Sequence, residues 1–331
     1  MKTTSPKNLV IAVDIGGTNY RMALVDGTYN VLKLTRGKTL ADNPARSQVS
    51  QPQVTLKRMA AEARSAFGTQ YKRIKAVGIA FAGPIDSASG IAYLPPNLPT
   101  WDGANLRVLS SKLFGVPAYV GNDASLAAVG EHGMGAGIGM ADIVFVTVST
   151  GIGGGIISGG TLLLGGAGLA GELGHICIDK DGPECACGSR GCVEAIASGS
   201  AVARIAIGRL RAGERSACVK LAGGIDLVRA EHIYKAAASG DRMCKEIVRD
   251  AAQALGLAVV SYIHVFNPQA VIIGGGVAIP NWDSMAPYIK RVVKERAMPQ
   301  FQKTVRILPA RLGDLAGIVG AAVVANEQRT S

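Results

Sequence analysis

The run Asp14-Ile15-Gly16-Gly17-Thr18-Asn19 constrains this chain more than any other stretch, because a strand lies on each side of it. Leu9-Val10-Ile11-Ala12-Val13 precedes it as an apolar strand. Tyr20-Arg21-Met22-Ala23-Leu24-Val25-Asp26 follows, with Met22 and Leu24 opposing Arg21 and Ala23 in a period of two. Glycines between two strands turn a β-hairpin. A Walker P-loop or a dinucleotide fingerprint needs a helix N-terminus directly after its glycines, so the context argues against both. Such a hairpin offers exposed backbone N–H groups and the Thr18 hydroxyl to a phosphate, with Asp14 placed to address the metal ion that travels with it.

The same pattern returns in the second half. Ile143-Val144-Phe145-Val146-Thr147-Val148 reads as a strand, Ser149 to Gly155 as the turn, and Ile156-Ile157 as the resumed strand. Two strand–Gly/Thr turn–strand units predict two similar halves that face one nucleotide. A third glycine turn, Gly274-Gly275-Gly276, closes the buried strand Val271-Ile272-Ile273. Between these landmarks the spacing predicts a helix over 54–68, a strand over 74–80, and a strand over 118–120 that runs into a helix over 124–131. A long helix is expected over 241–265 and another over 317–327, the latter packing back on the first half. Strands alternating with helices, plus hairpins, give an α/β architecture with a mixed sheet in each half. A βαβ dehydrogenase fails on detail, since 151–156 lacks the final glycine of its fingerprint. Gly37-Lys38-Thr39 imitates a Walker A ending, but Leu32 stands where that motif needs glycine.

With 331 residues, 48% of them hydrophobic, the chain has enough apolar mass for two cores. The apolar run before Asp14 is too short for a secretory leader, and the stretch from Ala254 to Val265 is too short and too polar to span a bilayer. A cytoplasmic, membrane-free enzyme is the expectation. The formal net charge of +11 suits anionic ligands such as nucleotides. Its densest cluster, Lys290, Arg291, Lys294 and Arg296, has helical spacing and no interleaved aromatics, which reads as a solvated helix face and not as a nucleic-acid platform.

Asn122-Asp123 sits where a strand stops and a helix starts. Asp123 could simply cap that helix. Alternatively it is a general base that takes a proton from a sugar hydroxyl during phosphoryl transfer, kept ionised by the helix N-terminus. Phosphoryl transfer asks little covalent chemistry of a protein, so one aligned carboxylate between two phosphate cradles suffices, and the cradles favour the base. His175, Cys185, Cys187 and Cys192 form a His-x9-Cys-x-Cys-x4-Cys array, the ligand set of a closed, structural Zn²⁺ site. The rival is a disulfide, which reduced thiols and a Cys-x-Cys pair disfavour. Structural zinc contributes on the order of 10 kcal/mol to local folding, against roughly 2–4 kcal/mol for a disulfide. Cys177, Cys218 and Cys244 fall outside the spacing and read as buried, inert thiols. Glu172 and Glu194 flank this loop. Each alone could be a surface charge; together with Asn97 and Asn122 they supply the acceptors a polyhydroxylated ligand needs, while the outward nitrogen of His175 supplies a donor.

Taken together these elements resemble the ROK family of repressors and sugar kinases. The match runs through Asp14 to Asn19, Gly83-Pro84-Ile85-Asp86, Asn97-Leu98, Gly121-Asn122-Asp123, Ser149 to Gly155, Gly171-Glu172-Leu173-Gly174-His175, the Cys185–Glu194 loop and Gly274 to Gly276. The resemblance implies an actin-like ATPase (ribonuclease H-like) fold with two lobes and mixed sheets flanked by helices. We expect 1–120 plus 312–331 to form the smaller lobe and 121–311 the larger. It implies Asp123 as base and Asn97, Asn122, Asp123, Glu172, His175 and Glu194 around the sugar. It assigns the ATP phosphates to Asp14, Gly16, Gly17, Thr18 and Asn19 together with Thr150, Gly151, Gly153 and Gly154, and the adenosine border to Gly274, Gly275 and Gly276. Family repressors carry a helix-turn-helix domain ahead of the first glycine turn, and only eight residues precede Leu9. The expectation is therefore a Mg²⁺- and ATP-dependent glucokinase, forming a homodimer. A kinase for another hexose or an N-acylhexosamine, a polyphosphate-using enzyme and a non-catalytic sugar sensor stay open.

Overall fold

The computed structural model describes residues 8–39 and 51–327, so 1–7, 40–50 and 328–331 of the expected smaller lobe lie outside the described residues. The first half opens with β1 (Leu9–Ile15), β2 (Asn19–Val25) and β3 (Val31–Lys38), followed by α1 (Gln51–Phe67) and β4 (Ile74–Phe81). A small hairpin of β5 (Ile85–Asp86) and β6 (Ile91–Ala92), then α2 (Leu106–Phe114) and β7 (Ala118–Asn122), complete it. Helix α3 (Asp123–Met134) leads to β8 (Ile143–Val148), β9 (Ile152–Ser158) and β10 (Thr161–Leu162). Helices α4 (Val193–Ala197), α5 (Gly199–Arg211), α6 (Cys218–Ala222), α7 (Ala230–Ala238) and α8 (Arg242–Phe266) come next. The chain ends with β11 (Ala270–Gly274), α9 (Trp282–Arg296), α10 (Pro299–Gln302), β12 (Arg306–Pro309) and α11 (Ala316–Glu327).

The two expected halves are two copies of one sheet. The first has the order β3-β2-β1-β4-β7 and the second β10-β9-β8-β11-β12. In each, two antiparallel pairs form one side, and the strand at the glycine turn then continues into two parallel neighbours. The tight turns close on equivalent pairs, Ile15 opposite Tyr20 and Val148 opposite Ile152.

Sequence dictates the ends of the long helix α8: the Asp241 side chain accepts the Cys244 N–H, and Asn267 adopts the left-handed conformation (φ 44°) before Pro268. The boundary at the second glycine turn departs from expectation. The second turn does not run from Ser149 to Gly155; β9 already starts at Ile152, with its glycines inside the strand. The reason is packing, because a Cβ on Gly155 would stand 2.7 Å from the Ala128 Cβ of α3, so the bare strand lets that helix lie directly on the sheet.

Alternation along the strands sorts the core into three layers. Leu9, Ile11, Val13 and Ile15 of β1 face the outer layer beneath α1 and α2, where Leu56, Met59, Phe67 and Phe114 meet them. Val144, Val146 and Val148 of β8 face the other outer layer, built on α5, α7, α8 and α9. The opposite faces, Val10 and Ala12 of β1 with Ile143 and Phe145 of β8, meet in a central layer filled by α3 and α11. These two helices are rich in alanine and glycine for a geometric reason. They pack backbone to backbone: a Cβ on Gly320 would meet the Leu126 carbonyl at 1.7 Å, and one on Gly130 the Ala316 carbonyl at 2.4 Å. Helix α11 is apolar all round, as befits a helix enclosed on every side. The basic cluster Lys290, Arg291, Lys294 and Arg296 lies exposed on α9. Among the described residues no helix is long and apolar enough to cross a membrane.

The helix crossing makes a direct prediction. Gly320→Ala should destabilise by about 1–3 kcal/mol or more, as overpacking does. Gly208→Ala, in α5 with open space around it, should be neutral or stabilising by about 0.5–1 kcal/mol. Denaturant melts of both variants read the difference, and equal stabilities would contradict the close helix contact.

Candidate active site

Both glycine turns open onto one cleft of about 1240 Å³ between the two sheets. Strand β7 delivers the acid. Its last residue, Asn122, is the N-cap of α3: its Oδ1 accepts the N–H groups of Ala124 (3.0 Å) and Ser125 (3.1 Å), while its Nδ2 donates to the Gly83 carbonyl (3.2 Å). Asp123 is thereby relieved of the capping role and turns into the cleft, where its Oδ1 accepts the Ala124 N–H at 2.8 Å. Burial pushes the Asp123 carboxyl up to about 7, the nearby charge of Asp14 adds to the rise, and the Ala124 hydrogen bond opposes it. The helix N-terminus therefore does not keep this carboxylate ionised as expected. Desolvation outweighs it, and the group titrates near neutrality.

Asp14, at the end of β1, is also raised by burial, with Arg21 pulling it back and Asp314 raising it further. Arg21 bridges the two acids, 3.2 Å from Asp14 Oδ2 and 3.2 Å from Asp314 Oδ2, and its Nη1 donates to the Asp314 carbonyl at 2.8 Å. The first turn is closed by the Gly16 N–H donating to the Asn19 carbonyl (3.0 Å), which leaves Thr18 and Asn19 exposed at the cleft. In the second turn the Ser149 N–H donates to the Gly151 carbonyl (2.9 Å) and the Ile152 N–H to Glu194 Oε2 (2.7 Å). The third turn is clamped onto the second through the Gly276 N–H and Ser149 Oγ (2.9 Å). Gly275 needs to be glycine there, with φ 97° and only 2.3 Å between its would-be Cβ and the Val148 carbonyl.

Asn97, Glu172, His175 and Glu194 line the same cleft as Asn122 and Asp123. His175 faces two ways. Its Nε2 lies 3.8 Å from Glu172 Oε2 and its Nδ1 3.6 Å from Cys185 Sγ. Cys187 Sγ and Cys192 Sγ are 3.7 Å apart, and one ligand atom from each of His175, Cys185, Cys187 and Cys192 falls within 4.8 Å of the others. Ligands at 2.3 Å around a tetrahedral ion are separated by about 3.8 Å, so the array has the dimensions of a metal site. Burial pushes the Cys192 thiol up to about 12 and raises Cys185 as well, while a backbone hydrogen bond at Ser189 lowers Cys187, so the two buried thiols are the ones that need a cation beside them to ionise. All six cysteines are free. Cys218 and Cys244 are buried as expected, but Cys177 is exposed, although its backbone bridges to the buried Cys192.

Of the expected nucleotide residues, Asp14, Gly16, Thr18, Asn19, Thr150, Gly151, Gly153, Gly274, Gly275 and Gly276 line the cleft. Gly17 and Gly154 do not: Gly17 packs against Asn97, and Gly154, buried within β9, packs against Leu173. The sequence reading missed Arg21 and Asp314, although the lone charge in the otherwise uncharged strand β2 was a usable signal for Arg21. It also missed a second cavity of about 1200 Å³ beside the third turn, lined by Ser200, Arg204, Tyr234 and Val277 and sharing Thr150, Gly276 and Pro280 with the cleft. That cavity assembles from distant segments, and no local motif marks it.

A duplicated mixed sheet, joined by two helices and opening on a shared cleft, defines an actin-like ATPase (ribonuclease H-like) fold. Comparison with known proteins narrows this to one family. The chain belongs to the ROK family, whose sequence profile matches residues 10–328. It is 36% identical to a glucokinase of Thermotoga maritima over 98% of this chain and 99% of that one. A crystal structure of a ROK family glucokinase from Streptomyces griseus in complex with glucose and AMPPNP superposes with a TM-score of 0.81 at 33% identity, covering 97% of this chain and 100% of the other. A ROK hexokinase from Thermus thermophilus gives 0.78 at 30% identity, covering 97% and 99%.

The raised acid has a thermodynamic signature. A carboxyl whose native value lies above its unfolded one stabilises the fold below about pH 4 and loses that contribution as pH rises through about 7. Asp123→Asn lacks the loss, so its melting temperature should exceed that of wild type at pH 7.5, with the gap shrinking as pH falls towards 4. A gap independent of pH would mean that Asp123 is not raised.

Proposed function

We propose that the chain is an ATP-dependent glucokinase, transferring the γ-phosphate of ATP to the 6-hydroxyl of D-glucose. The observation that carries this reading is Asp123, an acid titrating near 7 that faces a cleft bounded by both glycine turns. Glucose would lie among Asn97, Asn122, Glu172, His175 and Glu194. Glu194 spends one oxygen on the Ile152 amide, and Asn122 spends its acceptor on the helix cap, so Asn122 offers the sugar its remaining amide hydrogen. Asp123 accepts the 6-hydroxyl proton as the oxygen attacks the γ-phosphorus and the bond to the β-phosphate bridging oxygen breaks in line. The two turns hold the phosphates, and the cavity beside Gly276 takes the adenosine. Asp14 fits Mg²⁺, which takes one or two carboxylates plus substrate phosphates and, when bound, neutralises charge on them.

The remaining parts of the reading are a division into lobes at 1–120 plus 312–331 and 121–311 that close on the substrates, and Zn²⁺ held by His175, Cys185, Cys187 and Cys192. The tetrahedral spacing and free thiols support the zinc. With Nδ1 of His175 on the metal, Nε2 keeps its proton and points to the Glu172 side of the cleft. We also include a cytoplasmic homodimer without nucleic-acid or membrane partners.

A coupled ADP assay across glucose, mannose, fructose, N-acetylglucosamine and N-acetylmannosamine tests the activity. Glucose-dependent ADP release is expected; preference for an N-acylhexosamine would move the assignment, and sugar binding without ADP release would make the chain a sensor. Asp123→Ala should cut turnover by at least about 10²-fold with glucose affinity retained, and wild-type kcat/KM should rise with pH through about 7. An active variant would remove Asp123 from the role. Metal analysis should find about one zinc per chain, consistent with a closed four-ligand site, and Cys187→Ser should weaken both stability and glucose affinity. A metal-free active protein would overturn the zinc assignment.

A further inference from the structure

Glu131 is a fully buried carboxylate in the third turn of α3, and it is used by nothing described so far. Its Oε1 accepts the N–H groups of Arg311 (2.9 Å) and Leu312 (2.7 Å); its Oε2 accepts those of Ala136 (2.8 Å) and Arg311 (3.1 Å). Among the described residues it has no basic side chain as a partner. A charge buried without a counter-ion is costly unless hydrogen bonds surround it, and here the backbone provides them. Packing leaves the carboxylate no slack either, since a Cβ on Gly135 would sit 2.1 Å from Oε2.

The placement of these amides gives the carboxylate its meaning. The chain passes between the two sheets twice in the described structure: once along α3, from β7 to β8, and once through 310–315, from β12 to α11. Glu131 lies on the first passage and holds the backbone of the second. Asp123 heads the same rigid helix, eight residues or about 12 Å away. The held segment continues into Gly313 and Asp314, which line the cleft, and Asp314 pairs with Arg21 beside Asp14.

We propose that Glu131 is a positioning residue for phosphoryl transfer: by fastening one inter-sheet passage to the other, it fixes the base at the head of α3 relative to the Asp14–Arg21–Asp314 side of the cleft. The inference rests on the kinase reading above. A carboxylate that merely stabilised the core would lower the melting temperature and leave the chemistry of the folded fraction intact. A positioning role lowers turnover in the folded protein, because small misplacements of reacting groups are expensive.

The test compares Glu131→Gln with Gly135→Ala, which displaces the same carboxylate without removing it, and with Ile289→Ala, a cavity variant in the outer core of the second sheet. Each is assayed at a fixed interval below its own melting temperature, with hydrogen exchange followed over 308–315. Glu131→Gln and Gly135→Ala should exchange faster over that segment and lose about tenfold to a hundredfold in kcat. Their KM values for sugar and ATP should shift less than about threefold, and Ile289→Ala should keep its kcat. Faster exchange with kcat within about twofold of wild type, or a loss matched by Ile289→Ala, overturns the proposal. If Glu131→Gln does not fold, Gly135→Ala decides by the same criteria. Wild-type turnover separates the two levels: no sugar-dependent ADP from wild type defeats the kinase reading, whereas an active wild type with unaffected variants defeats only this one.

Discussion

Everything in this molecule that concerns the cleft depends on two helices touching through their backbones. Where α3 meets α11, Gly130 and Gly320 leave no room for a Cβ on either side. The contact replaces side-chain interdigitation, which tolerates repacking, with a steric stop, which does not. Each helix rests on a different sheet: α11 on β1 and β4, α3 on β8 and β9. The distance between sheets, and with it the width of the cleft, is set by this contact. Bulkier residues in the central layer would spread the glycine turns apart while each sheet remained intact.

Charge in the cleft is arranged around a conflict. Asp14, Asp123, Glu172, Glu194 and Asp314 line a space in which the proposed ligand carries several phosphate charges. Arg21 alone offsets two of the acids through paired contacts. Among the described residues no ion pair reaches Asp123, and burial together with the neighbouring Asp14 lifts it to about 7. For a proposed base this is useful, because a carboxylate near 4 would hold a sugar proton too weakly to assist its departure, while one far above 7 would be protonated already. The same desolvation that destabilises the folded chain at neutral pH tunes the group for the chemistry.

Much of this architecture was legible from local pattern. The alternation around Met22 and Leu24 announced a hairpin, and its recurrence at 143–157 announced the duplication that the two sheets display. The cysteine array was legible because its four candidate ligands lie close together in sequence, and the fold brings them within 4.8 Å of one another. What escaped was whatever depends on two distant segments meeting. Asn122 and not Asp123 caps α3 because Gly83 approaches from another loop to hold it. Gly153 and Gly155 read as a phosphate turn, but the strand runs through them because α3 lies against that strand. The ionisation of Asp123 was misjudged for a related reason: the helix N-terminus is visible in sequence, whereas the desolvation that outweighs it is a property of the assembled cleft.

Glu194 shows how the separate parts constrain each other. It follows the last cysteine of the metal array by two residues, lines the cleft, and accepts the Ile152 amide at the end of the second glycine turn. The fit is close, for a Cβ on Gly151 would lie 2.5 Å from its Oε2. One carboxylate thus joins the loop that shapes the proposed sugar pocket to the turn that would carry phosphate. In the proposed reading a distortion of the cysteine array would reach the second turn through this hydrogen bond, so the metal would act on both substrates without touching either. The nearness of the cysteine array to the cleft is then a matter of geometry: the short helix α4 begins at the array, and its first turn carries Glu194 to the Ile152 amide.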